Sequence, residues 1–294
     1  HNDKDTPMKP KATLSVKGFL LHVTHYDPHW MKTKTREKPF DLRVALDVVE
    51  AMAQAGLNLL VVDCADGVRY RSHPELARPY TVPMDHLRAL ADRARELNID
   101  VVPKLNFSQG LHVHNLWFRP YNELYDNDEY WRVAFELIDE LIDACRPARF
   151  FHIGMDEENH RSYRHYVRAI KTLRAGLRQR KLRTVVWNDT ALENSMWDQF
   201  AEKCLVAERQ LPKDVVQVPW CYDRALPNVV KRLVGHGFDV WGAPGPTAER
   251  IQAWKRDILR LGGKGLLFTR WIPCIRKNRK ELLNLIKTAG EVCG

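Results

Sequence analysis

Short runs of apolar residues alternate with helical patterns along almost the whole chain. Residues 17–23 form the first apolar run, followed by the polar and aromatic loop Thr24-His25-Tyr26-Asp27-Pro28-His29-Trp30. Leu42, Val44, Leu46, Val49 and Met52 then recur at helical spacing over 40–55, and Gly56 stands where a helix C-cap is expected. Residues 57–62 are a second apolar run, closing on Asp63-Cys64-Ala65-Asp66-Gly67. The same reading predicts strands over 99–105, 149–154, 184–187, 215–218, 238–241 and 265–269. It predicts helices near 84–97, 128–145, 160–180, 195–204, 228–235, 247–261 and 277–288, with room for a short strand at 205–207.

Strands that are apolar throughout are buried on both faces, as in a parallel sheet. Eight strand-then-helix units occupy 18–294, behind a polar tail over 1–17, with no residue left for a second domain. That number of units at this length predicts an α/β fold, a single (β/α)8 TIM barrel, whose sites lie at the C-terminal ends of the strands. The alternative is a doubly wound open sheet, and the glycine-rich fingerprint that such a sheet uses after its first strand to bind a dinucleotide is missing.

The strand ends carry the chemistry. The fourth strand runs into Asp156-Glu157-Glu158-Asn159-His160. A buried strand that ends in three adjacent carboxylates opens into a polar site or caps the next helix. Crowded carboxylates repel, so one holds its proton to higher pH while another stays ionised, as acid–base chemistry on an acetal requires. The other ends supply His22, His25, Asp27 and His29; Asp63 and Asp66; Lys104 and Asn106; Trp187, Asn188 and Asp189; Trp220, Tyr222 and Asp223; Trp241; Arg270 and Trp271. Trp187, Trp220, Trp241 and Trp271 fall on consecutive strands five to eight, and indole faces stack on sugar rings. The histidine-rich first loop invites a metal, but no known ligand spacing applies; hydrogen bonding to hydroxyls is the preferred reading and no metal or cofactor is assigned.

Composition narrows this little. The 294 residues are 45% hydrophobic and carry a net charge of +9, with a sequence pI of about 9.3. The basic residues are spread out, zinc-finger, RNP and phosphate-loop patterns are absent, and no nucleic-acid partner is expected. Lys104 and Arg270 at strand ends suggest an anionic glycan, sulfated or uronic. The six cysteines are widely spaced without a CxxC pair, which suits buried thiols as well as disulfides. No run reaches the roughly 18 apolar residues of a membrane span. The sequence starts at His1, so a removed upstream segment would make the protein secreted or periplasmic; otherwise it is cytoplasmic. Oligomeric state is not legible.

A family resemblance rests on these residues. His152-Ile153-Gly154-Met155-Asp156-Glu157 resembles the His-x-Gly-Gly-Asp-Glu motif of family-twenty glycoside hydrolases, the β-N-acetylhexosaminidases, with Met155 where the family has Gly. Asp66-Gly67-Val68-Arg69-Tyr70 and His73-Pro74-Glu75-Leu76 are similar to the segment after that family's second strand. Residues 103–112 resemble a diverged Pro-Glu-x-Asp-x-Pro-Gly-His loop ending at His112. Trp187-Asn188-Asp189 and Trp271 match its fifth- and eighth-strand tryptophans.

The resemblance implies a retaining, exo-acting, substrate-assisted glycosidase. In it Glu157 is the general acid/base and Asp156 orients a 2-acetamido group. Together with the reading of the strand ends, this makes His25, Asp66, His112, Trp187, Asp189, Trp220, Tyr222, Trp241, Arg270 and Trp271 the expected sugar contacts. The family's first-strand Arg and its Tyr after strand seven have no counterpart, and Tyr222 is the candidate substitute. The alternatives are a two-carboxylate glycosidase pairing Glu157 with Asp189, Glu208 or Asp223, a non-catalytic carbohydrate-binding barrel, and a metal-dependent hydrolase using the first loop.

Overall fold

The computed structural model describes residues 13–24, 36–110 and 114–294. Eight parallel strands close into a barrel in sequence order: β1 (Val16–His22), β2 (Leu59–Asp63), β3 (Asp100–Lys104), β4 (Phe150–His152), β5 (Arg183–Asn188), β6 (Val216–Cys221), β7 (Trp241–Pro244) and β8 (Gly265–Thr269). Each is followed by a helix: α1 (Leu42–Gln54), α2 (Met84–Glu96), α3 (Asp128–Cys145), α4 (Tyr163–Gln179), α5 (Asp198–Gln210), α6 (Pro227–Gly235), α7 (Ala248–Leu261) and α8 (Arg279–Cys293). Asp41, Asn127, Ser162 and Thr247 cap α1, α3, α4 and α7 by accepting from first-turn N–H groups. No helix among the described residues is long and apolar enough to cross a membrane.

Alternation along the strands sorts side chains into two cores. Phe19, Leu21, Leu60 and Val62 face outward and meet the helices, whereas Leu20, Leu59, Val61, Val102 and Val185 fill the barrel lumen. Continuing the lumen parity upward gives His22, Asp63, Lys104, His152 and Trp187, so a polar tier lies above the apolar ones. Lys104 Nζ donates to Asp63 Oδ2 at 2.7 Å and His22 Nδ1 lies 3.3 Å from the same oxygen. Burial pushes the Asp63 carboxyl upward, but the Lys104 charge and the His22 hydrogen bond outweigh it and hold Asp63 at about 2.

Two expected elements shift. β7 starts at Trp241, where the strand over 238–241 was expected to end, so Trp241 pairs with Gly265 at the foot of β8 instead of standing at the mouth. Residues 205–207 lie inside α5, because Leu205-Val206-Ala207 continues the helical face of Phe200, Ala201 and Cys204. All six cysteines are buried free thiols.

Candidate active site

The chain leaves β4 after only three residues and turns sharply. Gly154, Met155 and Glu157 all adopt left-handed backbone, with φ of 69°, 73° and 53°. A non-glycine residue in this region costs roughly 1 kcal/mol or more, so neighbouring groups must hold the turn in place. Asn106, just beyond β3, does most of this. Its Oδ1 accepts from Met155 N and Ser108 N, each at 3.0 Å, and its Nδ2 donates to Asp156 Oδ1 at 2.8 Å. A side chain at Gly154 would collide with Asn106. Met155 buries its side chain in the outer core, and Tyr166 on α4 donates to its carbonyl at 3.2 Å.

From the β5 side, Asp189 Oδ2 accepts from Glu157 N and its Oδ1 accepts from Trp220 Nε1, both at 2.8 Å. Burial, and then the charge of Asp156, push the Asp189 carboxyl well above the usual carboxylate range, while those two donors pull the other way. The β3 loop approaches so closely that a Cβ on Gly110 would lie 1.5 Å from the Glu157 carbonyl oxygen.

The three adjacent acids have separate fates. Glu158 is buried and accepts from Gln109 N, His160 N, Arg161 N and Arg161 Nη1 at 2.7 to 2.9 Å. Arg161 also donates to Phe107 O and pairs with Asp126, so Glu158 is part of the scaffold. Asp156 and Glu157 face the mouth, with side chains 11% and 27% exposed.

His114 lies between these two acids. Its Nε2 is 3.0 Å from Glu157 Oε2 and 3.8 Å from Asp156 Oδ2, and Asn106 Nδ2 donates to its Nδ1 at 3.2 Å. Since Nδ1 accepts, the neutral ring carries its proton on Nε2, facing Glu157. Burial lowers the His114 pKa, but the charge of Asp156 and the hydrogen bond and charge of Glu157 together outweigh burial and raise it. The ligand atoms of His114, Asp156 and Glu157 lie within 4.8 Å of one another, a spacing that would suit a small cation; the hydrogen bonds already account for it.

An aromatic wall completes the mouth. Trp271 Nε1 donates to the Tyr222 hydroxyl at 2.7 Å, and the Trp187 and Trp271 ring centres are 6.2 Å apart. Burial raises the Tyr222 pKa, while the hydrogen bonds of Thr269 and Trp271 pull it the other way. Trp220 packs beside Tyr222 at 5.6 Å. A chain of contacts thus runs from Glu157 through Asp189, Trp220, Tyr222 and Trp271 to Trp187.

Other expected site residues are placed differently. Trp241 is buried low in the lumen, edge-on to Phe150 at 5.0 Å. Arg270 turns outward to pair with Glu281 on α8. Asp66 is buried under the β2 loop, accepting from the Tyr80 hydroxyl at 2.7 Å. Glu208 faces away on α5, in a buried pair with Arg232, and the Asp223 side chain is 86% exposed. His25, Asp27, His29 and His112 lie outside the described residues. Sequence reasoning picked His112 by motif alignment; residues inserted in the loop carry the described partner of Glu157 two positions further on, at His114.

No family model matches this sequence, and no curated protein matches it. Solved structures do share its fold. The chitobiase of Flavobacterium johnsoniae superposes with a TM-score of 0.70 at 15% identity, over 96% of this chain and 48% of that one. The GH20 β-N-acetylhexosaminidase of Streptomyces coelicolor A3(2) gives 0.70 at 14%, over 95% and 64%, and dispersin B gives 0.61 at 14%, over 95% and 99%. The chain thus spans about half of the chitobiase and nearly all of dispersin B. At these identities the likeness is one of fold, and it is to the same hexosaminidase barrels that the motif around Asp156 and Glu157 resembles.

Proposed function

We propose that the barrel is a retaining, substrate-assisted glycoside hydrolase acting on β-N-acetylhexosaminides. The observation that carries this reading is the β4 turn, which presents Asp156 and Glu157 side by side at the barrel mouth with His114 against both. Glu157, the more exposed of the pair, donates a proton to the glycosidic oxygen as the bond to the anomeric carbon breaks. Asp156 accepts from the N–H of the 2-acetamido group, whose carbonyl oxygen attacks the anomeric carbon and forms a cyclic oxazolinium. Glu157 then removes a proton from water, which opens the ring with net retention. Asn106 fixes the Asp156 carboxylate, and His114 fixes that of Glu157. Tyr222, whose hydroxyl accepts from Trp271 Nε1, is the candidate to replace the family tyrosine as donor to the acetamido oxygen.

A two-carboxylate route is less well supported. Both oxygens of Asp189 are engaged in holding the turn and the wall, Glu208 is in an internal ion pair, and Asp223 is solvent-exposed. An anionic sugar also loses support, because Lys104 is spent on Asp63 inside the barrel and Arg270 on Glu281. A neutral N-acetylhexosamine is the substrate class that fits best.

The test is hydrolysis of aryl N-acetyl-β-glucosaminide and galactosaminide against the corresponding glucoside. The unaltered protein is expected to cleave only the acetamido sugars, and Glu157→Gln to lose about 10²–10⁴-fold in kcat/KM while folding normally. Equal cleavage of the plain glucoside would remove the substrate-assisted mechanism, and undiminished turnover by the variant would remove Glu157.

A further inference from the structure

Helix α4 carries Arg164, His165, Arg168, Lys171, Arg174 and Arg178 within its 17 residues, and no acid. Helix α2 shows how this chain balances cations elsewhere. There Arg88, Arg93 and Arg95 each pair with an acid three residues away, Asp85, Glu96 and Asp92. Around α4 the neighbouring acids are already engaged. Asp214 pairs with Arg174, Asp139 with Arg180, and Glu202 on α5 accepts from the Tyr163 hydroxyl. Among the described residues no ion pair reaches Arg164, Arg168, Lys171 or Arg178.

These four side chains are exposed, and their spacing of four, three and seven residues sets them in one stripe along the helix. At 1.5 Å per residue the stripe is about 21 Å long. Beside it lies a groove of about 430 Å³ between α4 and the end of α5, lined by Arg164, Arg168 and Lys171 together with Thr172, Ala175 and Gln210. This arrangement does not stabilise the fold. Like charges three and four residues apart weaken a helix, and a cation in the first turn opposes the helix dipole. Arg164 stands in that first turn, and no acid there offsets it. A local rule broken without a compensating contact inside the chain points to a partner outside it.

The chemistry of the stripe narrows the partner. Guanidinium groups match the paired oxygens of carboxylate and sulfate groups. Between the cations stand Thr172, Ala175 and Gln210, with a hydroxyl and an amide that suit sugar hydroxyls. The groove has no aromatic ring on which bases could stack, and no large apolar side chain exposed to enter a lipid interface. We propose that α4 is a docking surface for an acidic polysaccharide, a chain of sugars bearing uronate or sulfate groups. The polymer lies on the outer wall of the barrel, apart from the mouth, and serves as an anchor and not as the substrate. The proposal goes beyond the hydrolase reading and stands without it. Because α4 begins six residues after Glu157, a polymer on the stripe ends beside the mouth and leaves it open.

The experiment measures binding of the full chain to polygalacturonate and to dextran sulfate by titration calorimetry, with plain dextran as the neutral control. Two triple variants are compared. One is Arg164→Gln, Arg168→Gln and Lys171→Gln. The other is Arg276→Gln, Lys277→Gln and Lys280→Gln, which removes the same charge from another exposed basic segment. The unaltered protein is expected to bind both acidic polymers and not dextran, more weakly as salt rises. The α4 variant is expected to lose roughly ten-fold in affinity, as three exposed charge contacts are removed, and the other variant less than about two-fold. Thermal melts of the α4 variant are expected to match or exceed those of the unaltered protein, since repulsion along the helix is relieved. Equal losses in the two variants reduce the effect to net charge and overturn the proposal, as does absence of binding. Tighter binding through α4 to phosphatidylserine vesicles or to a single-stranded oligonucleotide than to either polysaccharide overturns it in favour of that partner. None of these outcomes depends on turnover, so failure here leaves the reading of Glu157 untouched.

Discussion

The two sides of the barrel mouth are built differently. On the side of β3, β4 and β5, every polar residue of the turn is held by another: Asn106 by Trp117 Nε1, Asp156 by Asn106, Glu157 by Asp189 and His114, Glu158 by Arg161. On the side of β7 and β8 the strand ends carry no acid. They give Gly245, Pro246 and Thr247, then Arg270, which turns outward, and Trp271, which contributes its face and one N–H. One side fixes charge and the other provides shape. On the proposed hydrolase reading, chemistry and sugar identity are then controlled by separate halves of the same rim, so that changes on one side affect turnover and changes on the other affect fit.

Gly110→Ala tests the rigid side most severely. The added methyl meets the Glu157 backbone, which must move, and a displacement of about 1 Å at a reacting group costs on the order of 10²-fold in rate. Turnover on the aryl glycoside is expected to fall by that order while circular dichroism stays native; unchanged turnover would mean that the two loops do not constrain each other. His114→Ala is expected to be milder and to depend on pH. The folded-state pKa of His114 is raised, so the ion-pair part of its stabilisation is fully present below the unfolded value near 6.5 and is lost as pH rises through the folded value. Thermal melts of the variant should trail the unaltered protein by more at pH 5.5 than at pH 9, on top of roughly 1 kcal/mol for the lost hydrogen bonds. A gap that widens toward pH 9 would reverse the assignment. Arg270→Ala, on the opposite side, removes one half-exposed ion pair and is expected to change stability by less than about 1 kcal/mol and kcat/KM by less than two-fold on neutral substrates. A large loss there would mean that Arg270 turns inward to meet substrate.

Much of the barrel was legible because its strands are short, mostly apolar and bounded by helical patterns. The misplacement of β7 has a simple cause. Apart from Asp239, residues 238–244 are apolar, and without sustained alternation such a run gives no parity to fix its end. The same slip put Trp241 at the mouth. The β4 turn could be read from its Asp-Glu pair, but its neighbours could not. Whether Lys104 and Arg270 face a ligand or a carboxylate depends on contacts made across 41 and 11 residues. Asn106 looks like any loop amide until the fold brings it under Met155.

Met155 itself has a further consequence. A glycine in that place could switch between mirror-related backbone shapes at little expense. The methionine cannot, because its side chain is embedded between the sheet and α4. The aim of the two acids is thereby inherited from the packing of the barrel wall. On the proposed hydrolase reading, a methyl group added or removed among the residues around Met155, well out of reach of any substrate, should first slow turnover and only later lower stability. Kinetics in this protein would serve as a sensitive gauge of how well its wall is packed.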